Sequence, residues 1–412
     1  MTMSKLPAFL ASVLLTVVCS GFYHAAALSA DLRPMPAKSA IRTGAEQTEQ
    51  YMPYLQGKRV AILGNQTTIL GKKHLVDSLK TRGITIVKVF GPEHGFRGNA
   101  SNGAHVQDEV DRATGIPIVS LYGAKHKPSA TDLADVDVML FDLQDVGCRF
   151  YTTINTLSDI MEACAETGKE LVILDRPNPN GYVDGPVLDM KLKSGIGKFP
   201  VPITHGMTIG EFAQMINGEG WLPNKMQCKL KIVPVQNYAH AMEYTLPVSP
   251  SPNLNTQQAV LLYPSLCLFE GTIVSQGRGT RMPFTVLGSP DLKGIYSFSF
   301  TPVSLPGKSE TPLHQDQVCY GLDLRKYDTA KLRKAGKINI QWMMDLYKAY
   351  PAKEKFFDRS LSKQIGRIEA LAGTTLFKEQ ITMAKSETEI RKSWEPQLTA
   401  YKVMRKKYTL YP

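Results

Sequence analysis

The turn that follows residues 84–90 carries side chains that could do acid–base chemistry. A short apolar run, Ile-Thr-Ile-Val-Lys-Val-Phe, is followed by Gly-Pro-Glu-His-Gly-Phe-Arg-Gly, which places Glu93, His94 and Arg97 within five positions. Ligands of open α/β sheets bind at the carboxyl ends of the strands, and a carboxyl group beside apolar neighbours can keep its proton near neutral pH. The pattern indicates Glu93 as a general acid, although an ordinary surface turn can carry the same residues.

Later loops add further polar side chains, several of them directly after apolar runs. The candidates are Asp142, Asp145, Arg149, Tyr151, Asp175, Arg176, Asn178, His205, Asn253, Glu270 and Arg278. Each alone is a weak signal, because an aspartate there can cap a helix, an arginine can form an internal ion pair, and a histidine can be packed in a loop. If the loops line one cleft, they suit a hydroxyl-rich anionic ligand, and paired carboxyl groups are the machinery of glycoside hydrolysis.

Other chemistries lack their motifs. The first strand is followed by Gly64-Asn-Gln-Thr-Thr rather than the glycine-rich turn of dinucleotide-binding proteins, and no phosphate-binding loop occurs. No H-E-x-x-H helix, no G-x-S-x-G elbow and no Cys/His cluster with ligand spacing is present. A nucleophilic Cys148 would need a partner histidine. We therefore expect no metal and no nucleotide cofactor.

The N-terminus predicts export. Lys5 precedes an apolar stretch from Leu6 to Val18, and small residues follow, which is typical of a signal peptide over residues 1–30, cut after Ala27 or Ala30. The protein is then periplasmic or secreted, and it is held at a membrane only if Cys19 is lipidated. Five cysteines remain after cleavage, an odd number, which favours buried free thiols with at most one or two bridges.

The formal charge of +11 favours anionic partners. An exported protein rarely meets nucleic acid, so an acidic cell-wall polymer is the better candidate, with a simple solvated basic surface as the alternative.

Alternating apolar and helical segments predict an α/β protein with a parallel sheet. We expect strands at 60–63, 84–90, 118–121, 136–141, 170–174, 296–300 and 338–340, and helices at 74–82, 154–167, 208–217, 342–350 and 381–394. Residues 31–50 read as a tether. A first domain then covers 51–257, and a smaller α/β or α+β domain covers 258–412.

The polar segments, in this order, resemble the NamZ-type exo-β-N-acetylmuramidases of glycoside hydrolase family 171. The matching motifs are 91–98, 120–123, 142–147, 149–151, 175–179, 206–211, 250–253, 270–272 and 277–280. The resemblance implies a Rossmann-like first domain, an active site in the interdomain cleft, and release of N-acetylmuramic acid without metal or nucleotide. The family's proposed catalytic glutamate corresponds to Glu93. His105, Thr153 and Ile273 depart from the family pattern, which has Glu, Tyr and Asn there.

These observations predict an exported exo-β-N-acetylmuramidase that acts on the non-reducing ends of peptidoglycan fragments. Glu93 would be the general acid, with His94 and Arg97 orienting it or binding substrate. The second carboxylate would be Asp142, Asp145 or Asp175, unless the acetamido oxygen of the sugar is the nucleophile.

Substrate contacts are expected from the remaining candidates. The lactyl carboxylate would require Arg176 or Arg278, and Asn253 and Glu270 would reach the cleft from the interdomain side. The alternatives are a non-catalytic muropeptide-binding protein that uses the same cleft, and a hydrolase that cleaves after N-acetylglucosamine.

Overall fold

The computed structural model describes residues 40–92, 95–97, 109–123, 125–362 and 366–412. Its strands are β1 (Val60–Gly64), β2 (Ile69–Leu70), β3 (Lys73–His74), β4 (Ile86–Gly91), β5 (Glu109–Val110), β6 (Pro117–Ser120), β7 (Val138–Asp142), β8 (Glu170–Leu174), β9 (Val183–Asp184), β10 (Thr204–His205), β11 (Lys229–Val233), β12 (Val286–Ser289), β13 (Phe298–Phe300) and β14 (Cys319–Asp323). Its α-helices are α1 (Thr48–Leu55), α2 (Leu75–Thr81), α3 (Thr153–Thr167), α4 (Ile209–Gly218), α5 (Gln257–Leu266), α6 (Ala330–Ala335), α7 (Gln341–Ala349), α8 (Ile368–Ala372), α9 (Leu376–Thr382) and α10 (Glu387–Arg405).

The described strands include a seven-stranded sheet in the order β11-β8-β7-β1-β4-β6-β5. All its pairs are parallel except β5 with β6 at one edge. Without that edge strand, the order is the one seen in doubly wound Rossmann folds, with β1 at the centre and the direction of winding reversing between β1 and β7. The predicted fold class is confirmed, and the carboxyl ends of β1, β4 and β7 form one edge of the sheet.

Buried helices cover both faces of this sheet. Strands β1 and β7 are buried along their whole length, as their unbroken apolar sequences predict. One face packs on α3 and α4 through residues such as Leu157 and Phe212. The other packs on α1 and α2 through residues such as Leu55 and Leu79. Helix α4 begins at Thr208 with the predicted capping box to Glu211.

The C-terminal region combines a small antiparallel sheet, in the order β12-β14-β13, with helices α5 to α10 around a separate apolar core. Helix α10 returns the chain to the first domain, where Tyr401 joins the core beneath α3 and α4. No described helix is long and apolar enough to cross a membrane.

Three sequence expectations differ from the structure. Residues 338–340 form no strand, because the N–H of Ile338 donates to Asp184 Oδ2 (2.8 Å) and its carbonyl accepts from Arg391 Nη2 (2.6 Å). The helix expected at 381–394 is two helices, since Ser386 caps a new one. Residues 43–47, within the expected tether, pack on the sheet edge, where the N–H of Gly44 donates to the carbonyl of Asp175.

The cysteine prediction is confirmed for the described residues. Their cysteines are all buried and free, at positions 148, 164, 228, 267 and 319. Burial raises the pKa of the Cys148 thiol well above its ordinary value, so this side chain is protonated rather than a thiolate.

Candidate active site

The turn after β1 lies against the end of β7 at the centre of the carboxyl edge of the sheet. Gly64 pairs with Asp142 in register at the ends of β1 and β7. Thr68 Oγ1 donates to the carbonyl of Asp142 (2.5 Å), and the N–H of Gln144 donates to Thr67 Oγ1 (3.1 Å). Threonine side chains therefore occupy the place where the winding of the sheet reverses.

Asp142 and Arg176 form a buried ion pair at this edge. Nε and Nη2 of Arg176 donate to the two carboxylate oxygens at 2.6 and 2.9 Å, and Nη2 also donates to the carbonyl of Ile69. The side chains are only 0% and 2% exposed. Burial raises the pKa of Asp142, and the charge of Arg176 opposes the shift. The charges of the two groups therefore compensate each other inside the protein.

Asp145 and His205 form a second buried contact. His205 Nε2 lies 3.3 Å from Asp145 Oδ2 but forms no hydrogen bond with it, and Oδ2 accepts from the N–H of Gly147 (2.6 Å). Asp145 Oδ1 has no hydrogen-bond partner although it is buried. The His205 ring is held from its other side, because Nδ1 accepts from the N–H of Met207. Asp145 therefore has one carboxylate oxygen without a hydrogen-bond partner, buried among the loops at the carboxyl edge of the sheet.

Asp175 is held by the C-terminal tail rather than by a neighbouring cation. Its carboxylate accepts from Tyr411 Oη (2.6 Å), Thr208 Oγ1 (2.7 Å) and the N–H of Gly210 (2.8 Å). Complete burial raises the pKa of Asp175 to about 6, while the Tyr411 and Thr208 hydrogen bonds oppose the shift. Asp175 thus joins the end of β8, the start of α4 and the last residues of the chain.

Arg149 and Asn178 are also directed into packed protein. Arg149 is fully buried and donates to the carbonyls of Pro186, Val201 and Leu371, so it connects the first domain to the C-terminal region. Burial lowers its pKa to about 9.

Asn178 Nδ2 donates to the carbonyl of Met207, and its side chain packs against Gly147, where an added Cβ would lie 2.2 Å from Asn178 Oδ1. These residues fix the loops of the carboxyl edge.

An open polar cavity of about 360 Å³ lies in the C-terminal region. Glu270 and Arg278 line it, with side chains 28% and 26% exposed. Nε and Nη2 of Arg278 both donate to Glu270 Oε1, at 2.9 and 2.7 Å. Neither Glu270 Oε2 nor Arg278 Nη1 has a hydrogen-bond partner among the described residues, so the pair offers one acceptor and one donor to a ligand.

The support beneath Arg278 is conformationally unusual. Its guanidinium lies 5.0 Å from the ring centroid of Phe284, a buried aromatic residue with a φ of 54°. A bulky residue rarely adopts this backbone conformation, and such outliers concentrate at functional sites. The N–H of Phe284 donates to the carbonyl of Gln276, which also lines the cavity.

Contacts connect this cavity with the edge of the sheet. Gln66, in the turn after β1, donates to the carbonyl of Pro250 (3.0 Å), and so does Tyr151 Oη (2.9 Å). Asn253 then donates to the carbonyl of Lys308 (2.9 Å), which lines the cavity. Tyr151 and Asn253 therefore hold the segment 250–253 and the residue at position 308, and that residue lines the same cavity as Glu270 and Arg278.

The glycine-rich motif of residues 91–98 is described only in part. Glu93 and His94 lie outside the described residues, as does His105. Arg97 is described, and it pairs with Asp77 (2.8 Å) and Asp111 (2.7 Å), two carboxylates that raise the pKa of Arg97 further despite the opposing effect of partial burial.

Sequence reasoning did not single out Gln66, Lys308 or Tyr411 as site residues. Gln66 and Lys308 carry no local signal, because their positions depend on contacts more than fifty residues away in the chain. Tyr411 is the second-last residue of the chain, and only the structure shows that it contacts Asp175.

Comparison with known proteins agrees with this architecture. The family models for the exo-beta-N-acetylmuramidase NamZ match residues 60–258 (N-terminal part) and 261–411 (C-terminal part). The chain is 35% identical over 410 residues to the peptidoglycan beta-N-acetylmuramidase NamZ of Bacillus subtilis (strain 168), covering 95% of this chain and 96% of that protein.

Two solved structures, both DUF1343 family proteins of Bacteroides fragilis NCTC 9343, share the fold. One is 44% identical with a TM-score of 0.82, and the other is 26% identical with a TM-score of 0.74. Each alignment covers 90% of this chain and 99% of the other. The chain therefore belongs to the exo-β-N-acetylmuramidase NamZ family.

Proposed function

We propose that this protein is an exported exo-β-N-acetylmuramidase that releases N-acetylmuramic acid from the non-reducing ends of peptidoglycan fragments. The observation that carries the proposal is the family match through both halves of the chain, at residues 60–258 and 261–411. The curated relative from Bacillus subtilis is a peptidoglycan beta-N-acetylmuramidase. The polar cavity beside Glu270 and Arg278 supports a sugar ligand, since its volume of about 360 Å³ is at the lower end for small-molecule sites.

Glu93 is the proposed general acid. Strand β4 ends at Gly91, between β1 and β6 at the carboxyl edge of the sheet, and Glu93 follows two residues later in the sequence. A protonated carboxylic acid there would give its proton to the glycosidic oxygen as the bond to the sugar breaks. His94, next to it in sequence, would orient it.

Positioning roles suit the aspartates better than proton transfer. Asp142 is held by the guanidinium of Arg176 and Asp175 by several hydrogen-bond donors, and both side chains are fully buried. Asp145 is 3% exposed, and its oxygen without a hydrogen-bond partner is buried near His205. A sugar cannot reach these oxygens, so we assign the aspartates to holding the loops around the cleft.

The second reacting group is then Glu270 or the acetamido oxygen of the sugar. Among the predicted carboxylates that the structure describes, Glu270 is the partly exposed one, and its Oε2 is unpaired among the described residues. Replacing Glu270 with Gln should lower kcat by at least ~100-fold if it attacks or activates water, and far less if the substrate supplies the nucleophile.

Arg278 is the better of the two arginines proposed for the lactyl carboxylate. The Arg176 side chain is only 2% exposed and donates to Asp142 and Ile69, whereas the Arg278 side chain is 26% exposed and lines the cavity. Arg278→Lys should raise KM for a muramide and leave KM for the corresponding glucosaminide nearly unchanged. An equal rise for both sugars would reject this assignment.

The decisive experiment uses 4-nitrophenyl β-N-acetylmuramide. The wild type should release nitrophenol, and Glu93→Gln should reduce turnover by at least ~100-fold while sugar binding persists. Glu354→Gln, at an exposed glutamate of the C-terminal region, is the matched control and should keep full activity.

Two results would reject the proposal. Binding of the muramide without release would mean a muropeptide-binding protein, and release from the glucosaminide alone would mean a different hydrolase. If the muramide is hydrolysed, NMR of the first-formed anomer gives the stereochemical outcome.

Export is a separate part of the proposal. It rests on the apolar stretch after Lys5 and the small residues that follow it. Intact mass of the protein recovered from the periplasm or medium should show a new N-terminus after Ala27 or Ala30. Retention of residues 1–30 in a cytoplasmic fraction would contradict export.

A further inference from the structure

A second cavity, of about 610 Å³, lies along α2 and differs in charge from the first. Lys72 and Lys73 in the β2–β3 hairpin line one end, and Arg82, just after α2, lines the other. The hairpin and the start of α2 follow β1, so this end of the cavity lies at the carboxyl edge of the sheet. Arg97, four residues after Glu93 in sequence, also lines the cavity.

The cavity carries three positive charges that no described carboxylate neutralises. Lys72, Lys73 and Arg82 are exposed, and none of them forms an ion pair within the described part of the chain. The carboxylate of Asp77 on the same wall is paired with Arg97 (2.8 Å).

Histidine adds no charge at neutral pH in this cavity. Burial lowers the pKa of His74 to about 4, and its hydrogen bond to the carbonyl of Asn65 only partly opposes the shift. The first cavity is different, because its two cations, Arg278 and Lys308, are matched by Glu270 and Glu310.

We propose that the cavity along α2 binds carboxylate groups of the glycan chain that continues beyond the scissile bond. The inference rests on the proposed function, because the ligand is the remainder of the same substrate. Lys73 lies before α2 and Arg82 directly after it, and the seven residues of α2 between them span about 10 Å at ~1.5 Å per residue. A single sugar cannot bridge that length, so the arrangement fits an extended oligosaccharide with several carboxylates.

The chemistry of the wall matches such a ligand. Ammonium and guanidinium groups form charge-assisted hydrogen bonds with carboxylates. The hydroxyl groups of Ser78 and Thr81 donate to the backbone carbonyls of His74 and Asp77, and their oxygen atoms can still accept from sugar hydroxyls. The three cations of this cavity are also part of the net positive charge of the chain, whereas the cations and carboxylates that line the first cavity are equal in number.

The test compares a short and a long substrate in the full chain with Lys72→Ala, Lys73→Ala and Arg82→Ala combined. The short substrate, 4-nitrophenyl β-N-acetylmuramide, has no glycan beyond the scissile bond, so its kcat/KM should stay at the wild-type value. For peptide-free glycan oligosaccharides, kcat/KM should fall about 5- to 30-fold, as expected for three exposed charge contacts. The wild-type preference for the long substrate should also weaken with salt, and this salt dependence should disappear in the variant.

The matched control replaces three exposed lysines elsewhere, Lys331, Lys334 and Lys337, with Ala. It should behave as wild type on both substrates, and the melting temperatures of both triple variants should match that of the wild type.

The outcomes separate the two proposals. A wild type without activity on the muramide would reject the proposed function itself. An active wild type whose α2 variant keeps full kcat/KM on oligosaccharides, or loses activity equally on both substrates, would overturn the inference. Unchanged glycan kinetics, with a teichoic-acid phosphate polymer inhibiting the wild type and not the variant, would instead assign the cavity to a phosphate polymer.

Discussion

Replacing Arg176 with Gln should be one of the most destabilising single changes at the edge of the sheet. The change removes two charge-assisted hydrogen bonds, of 2.6 and 2.9 Å, and leaves Asp142 buried without a cation. Removing one partner of a buried ion pair typically costs about 3–5 kcal/mol in the free energy of unfolding. For a folded unit of this size, that loss lowers the melting temperature by about 4–6 °C.

Thermal and urea unfolding followed by circular dichroism would measure the loss. The control is Arg59→Gln, which breaks an exposed pair with Asp137 whose side chains are 49% and 38% exposed. Because exposed pairs contribute little, this variant should lose less than ~1 kcal/mol.

Combining Arg176→Gln with Asp142→Asn should cost less than the sum of the two single changes, since no charge is then left buried alone. A melting temperature for Arg176→Gln no lower than that of Arg59→Gln, or strictly additive losses, would refute the reasoning.

Three further changes test other parts of the structure. His74→Asn should make the protein less sensitive to acid: the folded pKa of about 4 lies below the unfolded value, so the wild type loses up to ~3 kcal/mol between about pH 6.5 and 4 and the variant does not. Urea unfolding across this range should show the two curves converging or crossing as pH falls, and parallel curves would contradict it. Tyr411→Phe removes the hydroxyl that donates to a buried carboxylate, and should lower the free energy of unfolding by about 1–3 kcal/mol; an unchanged urea midpoint would show that this contact contributes nothing. Gly147→Ala places a Cβ 2.2 Å from Asn178 Oδ1 and should cost more than ~2 kcal/mol, well above Gly57→Ala, which has a similar φ and open space around it; equal losses at the two glycines would mean that the clash is relieved.

Local sequence signals predicted individual elements of the seven-stranded sheet and its helices well. Strand β8 spans 170–174 as expected, and α4 begins with the capping box that Thr208 and Glu211 indicate. These features depend on residues that are only a few positions apart, so they can be predicted from the sequence alone. The C-terminal region was harder. Ile338 is apolar and β-branched like a strand residue, yet its backbone is bound by side chains of Asp184 and Arg391, which lie far away in the sequence.

Residue types and their order determined the fold class and the family, and they supplied the polar residues that we predict for the site. Tertiary structure alone decided which of those residues a ligand can touch. Asp142, Asp175 and Arg149 look as reactive in the sequence as Glu270 and Arg278, but the first three are enclosed by partners from distant segments and the last two face a cavity. The difference arises because the exposure of a side chain and its charge partners depend on contacts between parts of the chain that are remote in sequence. A sequence motif shows only which side chains are present.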